Sequence, residues 1–118
     1  MKYLCLVYAE EKQLQDMDDG ECVAYVEGMR TSGHAIAAEA LKPVHTATTL
    51  RLRNGKLSIT DGPFAETKEQ LAGFYLIEAG DLNEAIQIAA KIPPVRVGSI
   101  EVRPVRQLSA RSAAVQRT

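Results

Sequence analysis

The chain has 118 residues, 46% of them apolar and 25% charged, which is the length of one domain and the composition of a folded one, so global disorder is excluded. Roughly 65% of the unfolded surface can be buried at this length, enough for a core without metal or disulfide staples. A formal net charge of −1 speaks against a general nucleic-acid binder, which needs a basic excess, and no apolar run approaches the ~20 residues of a membrane helix.

Met1 to Ala9 carry one lysine and then an apolar run. A secretory leader starts the same way, but Glu10 and Glu11 follow and no small-x-small cleavage site precedes them. The expectation is a buried strand, Tyr3 to Tyr8, apolar on both faces, in a cytoplasmic protein. Glu10 to Gly20 reads as a polar loop ending in Asp18-Asp19. Glu21, three residues after Asp18, approximates a capping box. Cys22, Val26 and Met29, flanked by Tyr25, form the apolar stripe of a helix that Gly33 stops. His34 to Leu41 is alanine-rich and reads as a second strand, ending near Pro43.

Thr48, Leu50 and Leu52 then alternate with Thr49, Arg51 and Arg53. Asn54-Gly55 is a strong hairpin signal, since both residues tolerate the positive φ of a type I′ turn, and Leu57 and Ile59 resume the alternation. Asp61-Gly62-Pro63 breaks the return strand, and Phe64 to Gln70 reads as a charged loop or short helical turn. Phe74 to Ile77, preceded by Leu71-Ala72-Gly73, is another buried strand. Asp81 with Glu84 makes a capping box for a second helix whose stripe is Leu82, Ala85, Ile86 and Ala89. Pro93-Pro94 ends it. Ile100 and Val102, alternating with Glu101 and Arg103, form a last strand that Pro104 stops.

The order β-α-β-hairpin-β-α-β fits an α+β domain on the ferredoxin-like β-α-β-β-α-β plan, with the hairpin added and both helices on one face of a mainly antiparallel sheet. The other sheet face is apolar as well, and a second copy covering it predicts a homodimer that packs sheet against sheet. The domain spans residues 1–105. Residues 106–118 are basic and read as a flexible or partner-docking tail.

The densest chemical stretch is Asp61-Gly62-Pro63-Phe64-Ala65-Glu66-Thr67-Lys68-Glu69. A rigid turn there holds carboxylates and a lysine whose pKa values proximity and burial push apart. In that reading Asp61 or Glu66 abstracts a proton, and Lys68 or Tyr75 stabilises the anion. The same residues also read as an exposed turn capped by Asp61 and followed by solvated charges. A cleft beside the loop, bounded by Glu39, Asp61, Phe64, Glu66, Glu69 and Tyr75, is the expected ligand site.

His34 and His45 serve either as a base near Glu39 or as ordinary surface or core groups. Their spacing matches no metal motif, and neither a metal nor a cofactor is assigned. Tyr3, Tyr8, Tyr25 and Tyr75 are core residues or pocket phenols. Arg51 and Arg53 are an anion site or the wet face of a strand. Cys5 and Cys22 are too few for a disulfide framework and read as reduced core thiols. Without a phosphate-binding glycine loop or a nucleophile elbow, nucleotide chemistry and serine hydrolysis have nothing to rest on.

The run Thr60 to Leu71, followed by Gly73-Phe74-Tyr75-Leu76-Ile77, resembles the DGPF-domain branch of the YCII-related family of small bacterial proteins. Met1-Lys2-Tyr3, Glu39 to Pro43 and Gly98 to Pro104 are similar too, so the likeness covers roughly residues 1–105. The resemblance implies a ferredoxin-like domain that pairs into a dimeric α/β barrel. It also implies, through gene neighbourhood in some members, a link to extracytoplasmic-function sigma factors. Enzymatic roles in the wider family go with a His–Asp pair, His in the first helix and Asp just after the second. Here Cys22 lies near the first place and Ile92 stands at the second, so that dyad is absent.

Three functions fit these residues. One is a dimeric domain binding a small polar organic ligand near the Asp61–Glu69 loop. Another is an acid–base enzyme, for which analogy with relatives of the implied fold suggests an elimination or isomerisation on a lactone-like substrate. The third is a regulatory protein-interaction module in which the motif sets dimer geometry.

Overall fold

The computed structural model describes residues 1–109. Strand β1 (Lys2–Ala9) follows the period of two that a pleated strand imposes. Tyr3, Cys5, Val7 and Ala9 are buried on one face, and Leu4, Leu6 and Tyr8 are half-buried on the other. It is flanked by β5 (Gln70–Glu78) and β6 (Ser99–Pro104), and β2 (Ala35–Ala40) completes a four-stranded antiparallel sheet in the order β2-β5-β1-β6. Among the described residues, strands β3 (Thr48–Arg53) and β4 (Lys56–Asp61) pair only with each other. The fold is therefore mixed α+β with antiparallel sheets.

The polar segment read as a loop contains a short helix, α1 (Glu11–Gln15). It buries none of its residues, so no apolar period announces it. Helix α2 (Asp19–Thr31) begins where Asp18 accepts a hydrogen bond from the Gly20 N–H at 3.0 Å. Its cap differs from the expected box, because Glu21 does not reach back to Asp18 and instead takes the Arg96 guanidinium at 2.9 Å. Gly33 ends the helix with φ +83°, where a Cβ would be strained. Helix α3 (Leu82–Ala89) carries the predicted cap at Asp81, which accepts from the Glu84 N–H at 2.9 Å, while the Glu84 carboxylate takes the Gly80 N–H. Its stripe divides: Ala85 and Ala89 are buried, and Leu82 and Ile86 are exposed.

Strand β5 starts at Gln70, four residues before the expected Phe74, because Gln70, Leu71 and Gly73 are already paired with β1 across a bulge at Ala72, and Gly73 also with β2. Gly73 permits this: a Cβ there would lie 2.7 Å from the Glu39 carbonyl oxygen. The core lies between one sheet face and the helices. Tyr3, Cys5, Val7, Tyr75 and Ile77 pack with Met29 of α2, Ala85 and Ala89 of α3, and Ile92. The opposite face carries Leu4, Leu6, Tyr8, Phe74 and Leu76, all half-buried. Among the described residues no helix is long and apolar enough to cross a membrane. Residues 105–109 run on from β6 as exposed coil, and the rest of the basic tail read at 106–118 lies outside the described residues.

Candidate functional site

A pocket of about 730 Å³ opens between α1 and α2 on one side and the β2–β5 edge on the other, within the range of small-molecule sites. Local sequence explains why space remains there. Ala38 and Ala40 of β2 and Gly73 of β5 give the pocket wall little more than methyl groups and backbone. Helix α2 faces that wall with Asp19, Cys22, Val23, Val26, Glu27 and Arg30, positions that recur at three and four residues along one helix face. The stripe read as core is thus split between two tasks. Met29 enters the core, Val26 packs against the core while also bordering the cavity, and Cys22 borders the cavity.

The inner end of the pocket is a thiol beside a phenol. The Cys22 thiol and the Tyr75 hydroxyl both line it and act on each other's titration, the phenol lowering the thiol and the thiol raising the phenol. Burial pushes the Cys22 thiol above its ordinary value, and the carboxylates of Asp19 and Glu21 push it further. Tyr75 is pushed up to about 12, chiefly by burial and then by Cys22 and Tyr25. The Tyr25 ring stands edge-on to that of Tyr75, with centroids 5.8 Å apart and planes at 82°, the arrangement ring quadrupoles favour. Its hydroxyl donates to the Ile88 carbonyl at 2.6 Å, tying α2 to α3. Near neutral pH this end of the site therefore offers a protonated thiol and phenol, which are hydrogen-bond donors rather than bases.

Charges of both signs surround the mouth: Glu11, Asp19, Glu27 and Glu39, with Arg30 and Lys42. The Glu11 carboxylate accepts the Val44 N–H at 2.7 Å, holding the segment that carries Leu41, Lys42 and Pro43 against α1. Arg30 and Lys42 have no ion-pair partner among the described residues. Of the residues expected at the site, Glu39 and Tyr75 line this pocket; Asp61, Phe64, Glu66, Lys68 and Glu69 do not.

Those five lie along the end of β4 and the following loop. Asp61 ends β4, exposed, and Gly62 follows with φ +110°. Phe64 is 75% exposed beneath the Arg51 guanidinium. Glu66 is exposed, Lys68 reaches Glu10 at 4.0 Å, and Glu69 accepts the Ser99 hydroxyl at 2.8 Å. The loop meets the pocket only where it ends, at Gln70 and Leu71. His34 contacts Ser32 and Glu84, away from the cavity, and His45 is exposed. Among the described residues no three His, Cys, Asp or Glu side chains gather as a metal set would require.

Sequence reasoning missed Arg30 and Lys42 as site residues and read Cys22 as core. A usable signal was the charged series Asp19, Glu27 and Arg30 running beside Cys22 and Val26 on one helical face. A face bound for the core does not carry three charges.

The YCII-related domain matches residues 1–109, and the chain belongs to the YCII-related family. An uncharacterised protein of Rhizobium meliloti is 49% identical over 67 residues, 55% of this chain and 54% of the relative. The chain thus matches about half the length of that curated relative. A solved structure of 5-chloro-2-hydroxyhydroquinone dehydrochlorinase from Burkholderia phenoliruptrix, in complex with 2,5-dihydroxybenzoquinone, is similar with a TM-score of 0.55 over 90% of this chain and 94% of that one. Sequence identity to it is 16%, so the likeness is one of fold.

Proposed function

We propose that this member of the YCII-related family, on its DGPF branch, binds a small polar organic molecule in the pocket between α2 and the β2–β5 edge. Residues 1–105 act as one ferredoxin-like domain and pair through their open sheet faces into a dimeric α/β barrel. The carrying observation is the 730 Å³ pocket, with the Cys22 thiol and the Tyr75 hydroxyl at its inner end and, at its mouth, Glu11, Asp19, Glu27 and Glu39 beside Arg30 and Lys42, two cations without an ion-pair partner among the described residues. Donors inside and a rim that mixes two cations with four carboxylates suit a compact, oxygen-rich polar ring. The complex of the structural neighbour with a dihydroxybenzoquinone makes hydroxylated six-membered rings the first compounds to try.

The test is a thermal-shift screen of the purified chain against hydroxybenzoquinones, hydroxybenzoates and small lactones, beside Ala38→Phe, which fills the pocket. Saturation at about 100 times Kd adds roughly 2.7 kcal/mol, several degrees for a chain of this size. A shift that disappears in Ala38→Phe supports the reading. A screen in which nothing moves the wild type overturns it and leaves the interaction-module reading to be pursued.

Acid–base catalysis through Asp61, Glu66 or Lys68 is the second reading. It requires those side chains to reach a ligand, and they stand exposed, outside the pocket. Ile92, at the position where the resemblance requires an aspartate, is fully buried in the core. Binding is the function the geometry favours.

A further inference from the structure

Leu50 and Leu52 on β3 pair with Ile59 and Leu57 on β4. Because alternate residues share a face, these four aliphatic side chains form one side of the hairpin, while Arg51, Arg53, Lys56 and Ser58 form the other. All four are 59–64% exposed, and neither strand pairs with the main sheet. A two-stranded hairpin is at best marginally stable in water on its own. An uncovered aliphatic row on it also invites aggregation.

The base of this hairpin is nevertheless fixed. The Gly62 N–H donates to the Ala47 carbonyl at 2.7 Å, and the Thr49 hydroxyl donates to the Gly62 carbonyl at 2.9 Å. Gly62 holds φ +110°, a value other residues reach only with strain. The Asp61–Phe64 motif is thus the shoulder of a projecting arm and fixes the direction in which the arm leaves the body.

We infer that the occupant of the arm's aliphatic face is a second copy of this chain, so that each arm clasps its partner and extends the sheet-to-sheet contact. This rests on the proposed dimer. The area argues for it. Four aliphatic side chains so exposed present roughly 400 Å² of apolar surface, a patch that usually marks an interface. Two arms together supply roughly 800 Å², a large part of the ~1,200–2,000 Å² of a specific interface, and the half-buried apolar residues of the two open sheet faces add to it. The chain's own last residues, 110–118, offer only Val115 as a sizeable apolar group and do not match an aliphatic row. Two-fold symmetry satisfies both faces at once, because each copy brings the same arm and the same sheet.

The experiment is sedimentation velocity across a dilution series on the full chain, comparing wild type, Leu52→Glu/Ile59→Glu and Leu6→Glu. Circular dichroism serves as the check on folding. The expected result is a dimeric wild type, with a dimer Kd raised tenfold or more in the arm variant at unchanged secondary structure. Hydrogen exchange supplies a readout free of substitutions: amides 50–59 of the wild type lose protection on dilution below Kd. A wild-type dimer that Leu6→Glu dissociates, but whose Kd and arm protection do not respond to the arm, overturns the clasp and leaves the dimer standing. A monomeric wild type overturns both and gives the arm to a different partner.

Discussion

The guanidinium of Arg51, on the polar side of the β3–β4 arm, lies over the ring of Phe64 with its carbon 5.2 Å from the centroid. Phe64 is the last residue of the arm's shoulder, so this contact braces the arm against the loop that carries it. It also accounts for an aromatic ring in a charged segment, since the ring meets a cation instead of the core. Exposed contacts of this kind contribute about 0.5–1 kcal/mol. A double-mutant cycle with Arg51→Gln and Phe64→Leu, read by urea denaturation, is expected to return a coupling of that size, and Arg51→Lys to keep part of it. A coupling indistinguishable from zero would reduce the contact to coincidence.

Three glycines should respond in different ways to alanine. At Gly98 a Cβ would lie 2.2 Å from the Tyr8 carbonyl oxygen and 2.8 Å from the Ala9 Cβ, and at Gly73 one would lie 2.7 Å from the Glu39 carbonyl oxygen. Both neighbours are main chain in the central sheet and have little room to give. Gly98→Ala and Gly73→Ala are expected to destabilise by about 1–3 kcal/mol or more, the latter also loosening the β2 side of the pocket. Gly28, inside α2, has nothing within 4 Å of its added Cβ. Gly28→Ala is expected to stabilise by about 0.5–1 kcal/mol. Urea midpoints of the three variants check both signs.

Much of this architecture was legible because it is written locally. Asn54 and Gly55 take φ of +52° and +74°, as their dipeptide announces. Asp81 and Glu84 cap α3, which ends at Ala89, short of the expected Pro93-Pro94 stop, where the prolines instead open a 3-10 turn over Pro93–Arg96. What escaped was whatever depends on segments meeting in space. The run-in to β5 was obscured by Gly73, a poor strand former by composition that is required where β2 approaches. The pocket escaped for a similar reason, because it arises where the small residues of β2 face the mixed face of α2. Neither element alone signals a cavity. The motif at Asp61 adopts a turn with Gly62 at φ +110°, whereas its spacing suggests acid–base chemistry as readily.

Burial makes the fold sensitive to alkali. Cys5 is fully buried and its thiol is pushed up to about 11, while Tyr25 and Tyr75 are pushed up to about 12, in each case mainly by burial. In each, the folded chain holds its proton more tightly than the unfolded one. The stability this contributes is complete below the unfolded values, 9.0 for the thiol and 10.0 for the phenols, and is lost as pH climbs through the folded values. Urea midpoints in reducing buffer are therefore expected to hold steady to about pH 9 and to fall from there toward pH 12. Each group adds a slope of up to about 1.4 kcal/mol per pH unit. Cys5→Ala should be less stable at pH 8 yet flatter between pH 9 and 11. A midpoint unchanged to pH 11 would contradict the burial of these groups.

The same physics makes Cys22 a reporter of the pocket. Its thiol borders the cavity half-buried, whereas Cys5 is sealed, so iodoacetamide should label Cys22 first and nearly alone. Attack requires the thiolate, and burial with the nearby carboxylates raises the Cys22 pKa. Labelling at pH 7.4 is therefore expected to be slower than that of a free cysteine and to keep accelerating beyond pH 9. Two substitutions should move the rate in opposite directions. Asp19→Asn removes a carboxylate that raises the pKa and should speed labelling. Tyr75→Phe removes the hydroxyl whose influence lowers it and should slow labelling. A change in pocket access alone would leave the pH profile of each variant parallel to that of the wild type, whereas a change in thiol acidity displaces the profile along the pH axis. A compound bound in the pocket protects Cys22 in proportion to the fraction of sites filled. Protection by a compound that also shifts the melting midpoint would bring ligand and thiol to the same cavity. A compound that shifts the midpoint and leaves labelling untouched would put its site elsewhere on the chain.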